Sequence, residues 1–114
     1  PQFFVLHEKF EEIYDETTEV LDEVAERLLA IGGKPVASLK QALAHATVKE
    51  LDTNEIGGRE AVEVLQADFK LMLADVKELA NLAADADDAA TEDLFIGYRA
   101  KYEKTLWMLG ALLK

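Results

Sequence analysis

From Phe3 to Ile31, apolar residues recur at Phe3, Phe4, Leu6, Phe10, Ile13, Tyr14, Val20, Leu21, Val24, Ala25, Leu28 and Leu29. Many of these spacings are three, four and seven, as an amphipathic helix requires. Pro1 suits a first helical turn, Gly32 and Gly33 suit a C-terminal cap, and Pro35 lies beyond as a stop. A long crossover follows from Lys34 to Gly58, with room for a short helix at Ser38–Ala46. The pattern then predicts a second long helix from about Arg59 to Ala84, with Val62, Leu65, Phe69, Met72, Leu73, Val76, Leu79 and Leu82 on its stripe. An acidic, alanine-rich turn occupies Asp85–Ala90. Thr91 can contribute to the next N-terminal cap, and a start a few residues earlier also fits. The last helix carries Leu94, Phe95, Tyr98, Tyr102, Leu106, Met108, Leu109 and Leu112, with Trp107 expected in the core and the three tyrosines expected to pack. No strand-like alternation occurs, so the class is all-α.

Three helices of about 25 to 29 residues, one pair joined by a long crossover, predict a single bundle domain over residues 1–114. Their stripes are too wide for three helices of that length. A fourth helix is therefore expected, from upstream of Pro1 or from another chain. Half of the residues are hydrophobic, yet no apolar run reaches the roughly 18 residues of a membrane span, and no signal peptide is visible. A chain that opens on Pro1 rather than Met reads as a processed, truncated or incompletely represented product. The absence of cysteine removes disulfides and thiolate metal sites and fits an intracellular, cytoplasmic protein. Twelve basic against 23 acidic residues give a net charge of −11, which opposes nonspecific phosphate binding and attracts cations.

The polar side of the first helix carries the candidate chemistry. His7 and Glu26 are 19 residues apart, ~28 Å along a helix axis at 1.5 Å per residue, so they cannot meet within one molecule. The spacing is self-complementary, however. The pairs His7/Glu26 and Glu11/Asp22 share one midpoint, between residues 16 and 17. Two copies packed antiparallel about a two-fold there would set His7 opposite Glu26 and Glu11 opposite Asp22, and each contact would occur twice. Imidazole with carboxylates is a ligand set for iron or another first-row metal. Each group also has an ordinary reading. A lone His7 is most often a surface histidine, and Asp22 with Glu26 most often form a solvated helix face. Arg27 and Glu23 read as structural ion-pair partners, and His45 as a loop histidine.

The motif Pro1-Gln2-Phe3-Phe4-x-Leu6-His7-x-x-Phe10, followed by Tyr14-Asp15, Asp22-x-x-Ala25-Glu26-Arg27 and Gly32-x-x-Pro35, resembles the Dps mini-ferritins. Those are dodecameric, ferritin-like iron proteins first named for DNA binding in starved cells. Thr91-x-Asp93-Leu94-Phe95 and Glu103-Lys104-x-x-Trp107-Met108-Leu109 are similar to the same family, and the resemblance covers nearly the whole chain. Family members normally begin one helix earlier, with a His-Trp-Asn motif. That helix and its site histidine are absent here, which would account for the missing fourth helix.

The resemblance implies a ferritin-like four-helix fold, represented by its second to fourth helices, and an intersubunit ferroxidase centre. His7 would be a ligand from one subunit, and Asp22 and Glu26 ligands from its two-fold mate. Glu11 corresponds to an acidic second-iron or outer group, a weaker transfer. The implied work is oxidation of Fe(II) by hydrogen peroxide or dioxygen and storage of Fe(III) in a hollow dodecamer, protecting against oxidative stress. Acids at Asp85, Asp87, Asp88, Glu92 and Asp93 gather where the family has three-fold iron pores. Asp88 and Asp93 match best, and Gly97 replaces a further acid. The absence of Glu-x-x-His leaves the intrasubunit di-iron site of larger ferritins unsupported. Two alternatives stand beside this reading: a non-catalytic acidic interaction module, and a DNA-compacting protein whose basic arm is missing. Neither membrane nor duplex DNA is an expected partner of this chain.

Overall fold

The computed structural model describes residues 3–52 and 54–114. Four helices follow in order, α1 (Phe3–Ala30), α2 (Leu39–His45), α3 (Gly58–Asp85) and α4 (Ala89–Leu112), and no strand occurs among the described residues. The all-α class is as the pattern predicts. The chain divides into two compact units, Pro1–Leu51 and Asp52–Lys114.

In the first unit, α1 runs unbroken for 28 residues and stops at Gly32, whose φ of 95° is in the left-handed region that glycine adopts at little cost. There the amide of Gly33 donates to the Leu28 carbonyl at 2.8 Å and that of Gly32 to Leu29 at 3.1 Å. This pair of bonds satisfies carbonyls that a helix end leaves orphaned. The short α2 is held at its start by Ser38, whose hydroxyl accepts from the Gln41 amide, while the Gln41 side chain accepts in turn from Ala37. His45 is the last residue of α2 rather than a loop residue. Only part of the expected α1 stripe is covered. Ile13 and Val20, seven residues apart, are buried, whereas Phe3, Phe4, Tyr14, Leu21 and Leu29 are exposed. Tyr14, expected to pack, lies 72 % exposed because it is about 100° around the helix from Ile13.

The second unit is a hairpin of α3 packed on α4. Val62, Phe69, Val76 and Ala83, at strict seven-residue spacing, are buried on α3, and Phe95, Tyr98, Tyr102, Thr105 and Leu109 are buried on α4. Aromatic rings knit the interior. Phe69 meets Tyr102 edge-on at 5.3 Å between centroids, and Phe95 meets Tyr98 likewise at 5.7 Å. Burial pushes the Tyr102 hydroxyl above its ordinary pKa. Thr105 sits within this apolar stripe because its hydroxyl donates back to the Lys101 carbonyl at 3.0 Å. Trp107, expected in the core, is 70 % exposed instead. It lies two residues from both Thr105 and Leu109, about 200° around the helix from either, and so on the opposite side. Leu79 and Leu82 are likewise exposed. The Arg59 guanidinium donates to the Leu113 carbonyl, tying the start of α3 to the end of α4.

The turn between them is only Ala86–Asp88, shorter than expected. Asp87 has φ of 57°, and the amides of Asp88 and Asp87 donate to Ala83 and Ala84, the same closure that ends α1. Asp88 is the N-cap of α4, the earlier of the two starts that the sequence allows, and Thr91 contributes to the cap as a donor. Its carboxylate accepts from the Thr91 amide at 3.1 Å and from the Thr91 hydroxyl at 2.5 Å.

Candidate metal centre

The unbroken α1 fixes the placement of the four candidate ligands. At about 100° per residue, His7, Glu11, Asp22 and Glu26 fall within an arc of about 100°, while Ile13 and Val20 lie on the far side of the helix. All four are exposed. Ile13 and Val20 thus take the buried edge of α1, and the imidazole and carboxylates lie on the open one, beside the exposed Phe4 and Leu29.

At the C-terminal end of that arc, Asp22 and Glu26 are one turn apart and face each other. A hydrogen bond that the protonated Glu26 carboxyl can donate to Asp22, and then the Asp22 charge, raise Glu26 above its ordinary value, with smaller contributions from desolvation and from Glu23. Two carboxylates this close repel each other when both are ionised. A cation binding between them would remove that repulsion. At the other end, His7 stacks on Phe3 with ring centroids 5.7 Å apart and planes 11° from parallel. Phe3 belongs to the expected apolar stripe, and an aromatic residue one helical turn before the histidine is the sequence signal for its place beside the imidazole.

Within one chain these groups stay apart. Among the described residues, no three His, Asp or Glu side chains gather into a group that could hold a metal. The length of α1 separates the imidazole from the carboxylate pair by ~22 to 28 Å. Asp88 and Asp93 are remote in sequence and belong to the second unit. Asp88 spends its carboxylate on the α4 cap, and Asp93 is exposed in the first turns of that helix.

Comparison with known proteins agrees with this architecture. The model of the Ferritin family, a ferritin-like domain, matches residues 1–114. The chain is 45 % identical over 113 residues to DNA protection during starvation protein 2 of Bacillus anthracis, covering 99 % of this chain and 77 % of the relative. The crystal structure of Dps from Staphylococcus aureus is similar with a TM-score of 0.95 and 38 % identity, over 100 % of this chain and 76 % of that one. Dps from Vibrio cholerae O1, described as a member of a broad superfamily of ferritin-like diiron-carboxylate proteins, is similar with a TM-score of 0.94 and 38 % identity, over 100 % and 71 %. With four helices in this order, an imidazole and carboxylates along one exposed arc of α1, and this degree of identity over nearly its full length, the chain belongs to the Dps mini-ferritins of the ferritin-like family.

Proposed function

We propose that this chain oxidises Fe(II) at a site formed between two copies and that the Fe(III) is stored in the hollow of a dodecamer, in the cytoplasm. His7 of one copy binds the substrate iron together with Asp22 and Glu26 of a second copy related by a two-fold, and Glu11 lies beside them. The reading also treats residues 1–114 as one ferritin-like domain. The observation that carries it is the arrangement on α1. The helix is continuous across the midpoint shared by His7/Glu26 and Glu11/Asp22, and all four side chains are exposed in one arc. A diiron-carboxylate relative of 38 % identity supports iron as the metal.

The chemistry asked of these residues is limited. Carboxylates and a neutral imidazole bind Fe(II), and negative charge favours Fe(III) as it forms. Two Fe(II) give up one electron each. Hydrogen peroxide takes both electrons with two protons and leaves as two waters, and dioxygen is the alternative acceptor. The protein contributes proximity of two irons and charge compensation from the carboxylates of Asp22 and Glu26. The net charge of −11 opposes contact with nucleic-acid phosphate, so protection through removal of iron and peroxide is favoured over direct DNA binding.

Anaerobic Fe(II) loading followed by peroxide, with mass measurement of the assembly, tests this. Wild type should bind iron in step with assembly and oxidise it. His7→Ala and Glu26→Ala should lose more than the roughly 10- to 100-fold in metal affinity that even an outer-shell change costs, with little loss of stability since both side chains are exposed. Oxidation by the double variant at the wild-type rate would overturn the assignment. A protein that takes up no iron at all would favour a non-catalytic interaction module.

A further inference from the structure

The arrangement at the start of α1 points to Phe3 as the positioning residue of the His7 imidazole, and we infer that this stack sets the ring plane in which the metal is bound. The inference rests on the intersubunit iron site proposed above. Ligating histidines are ordinarily oriented by a hydrogen bond from the second ring nitrogen to a carboxylate or carbonyl. Among the described residues, His7 makes no such bond, and its ring contact is with Phe3 at 5.7 Å and 11°. Helix geometry produces the contact directly. Side chains on an α-helix lean toward its N-terminus, so a residue lies over the one four positions earlier. Phe3 is itself braced by Phe4, whose ring meets it edge-on at 5.4 Å and 80°.

A stacked neighbour suits a ligand in a way that an edge contact would not. The nitrogen lone pairs lie in the plane of the imidazole, and a ring held parallel to it restricts that plane without supplying a hydrogen-bond partner to either nitrogen. His7 is exposed, so a ligand can still reach the ring. Phe3 is 68 % exposed and Phe4 79 %, so the pair is not anchored in the interior of its own unit. Its contact with His7 is what the local geometry gives it to do.

Cobalt(II) is the probe, because it binds such sites without oxidation in air and its visible absorption reports ligand geometry. Full-length wild type is compared with Phe3→Leu, which keeps bulk without an aromatic face, and Phe3→Tyr, which keeps the face. His7→Ala serves as the control for loss of the ligand. In the metal-free protein, the carbon-bound ring protons of His7 should shift in Phe3→Leu as the neighbouring ring current is lost and the imidazole is freed to turn, and return in Phe3→Tyr. Cobalt affinity should fall by about 3- to 10-fold in Phe3→Leu, in line with the worth of an aromatic pair, and recover in Phe3→Tyr. Unmoved His7 resonances and wild-type affinity in Phe3→Leu would overturn the inference while leaving the iron site standing. So would loss of assembly in Phe3→Leu with His7 resonances unmoved, which would make Phe3 a packing residue. Wild type that binds no cobalt, or binds it as well as His7→Ala does, would instead overturn the site itself.

Discussion

Asp68 sits half-buried on α3, and burial alone raises its carboxyl above the ordinary aspartate value. The sign of its effect follows from linkage. The folded chain holds this proton more tightly than the unfolded chain does, so the group favours folding below the unfolded pKa. That contribution is lost as pH rises through the raised folded value. At neutral pH the ionised group is a cost. Asp68→Asn should therefore raise the melting temperature at pH 7, with the difference from wild type closing as pH falls to about 4 and below. Thermal melts at several pH values check this, and a difference independent of pH would contradict the assignment. Glu26 is raised as well, but chiefly by Asp22, on an exposed face. There the close approach of two carboxyls suits the metal site proposed above, so it is kept rather than relieved.

Helices α1 and α3 end in the same backbone closure, yet the residue at the left-handed position differs, Gly32 in one and Asp87 in the other. Asp tolerates this conformation better than most residues but still pays a steric cost, and its charge lies at the negative end of the α3 dipole. Asp87→Gly should accordingly stabilise the fold by about 1 kcal/mol, measured by denaturant unfolding. Unchanged or lowered stability would show that Asp87 has a compensating contact. Much of this level was readable in the sequence. The α3 pattern gave Arg59–Ala84 against an observed Gly58–Asp85, and Ser38–Ala46 brackets α2 with the residues that cap it. The width of each buried stripe was not readable. Apolar identity places Tyr14, Leu79, Leu82 and Trp107 with the core, but the angle around the helix decides, and it selects the seven-residue series Val62, Phe69, Val76 and Ala83. The sequence leaves two starts open for α4 because Asp88 and Thr91 are both good caps. The structure chooses Asp88, whose carboxylate reaches both the amide and the hydroxyl of Thr91. At the site, the spacing of His7, Glu11, Asp22 and Glu26 was legible because it depends only on an unbroken helix. The stack of Phe3 on His7 depends on rotamers, which sequence spacing does not specify.

For the molecule as a whole, 23 acids against 12 bases make the surface a sink for cations, and their distribution decides where cations are drawn. We place an entry route at Asp88 and Asp93, around three-fold pores of the proposed shell. The capping role of Asp88 complicates the usual test, since alanine would disturb α4 as well as the charge. Asparagine avoids this, because it caps about as well as aspartate while carrying no charge. The Asp88→Asn, Asp93→Asn double variant should assemble normally and take up Fe(II) more slowly. The deficit should shrink as salt is raised toward a Debye length of about 8 Å. Equal uptake at low salt in an intact shell would leave Asp88 with its cap alone.

The continuity of α1 has a genetic consequence. Because each copy carries the histidine near one end and the carboxylate pair near the other, every copy would serve two sites and complete neither. Chains bearing His7→Ala and chains bearing Glu26→Ala are then complementary alleles. In a mixed pair, one site receives both defects, while the other receives the intact His7 of one parent and the intact Asp22 and Glu26 of the other. Co-folding two inactive proteins in equal amounts should restore about one quarter of the wild-type sites if pairing is random. Two inactive parents whose mixture stays inactive, though heterodimers are seen by mass, would mean that the ligands come from one chain.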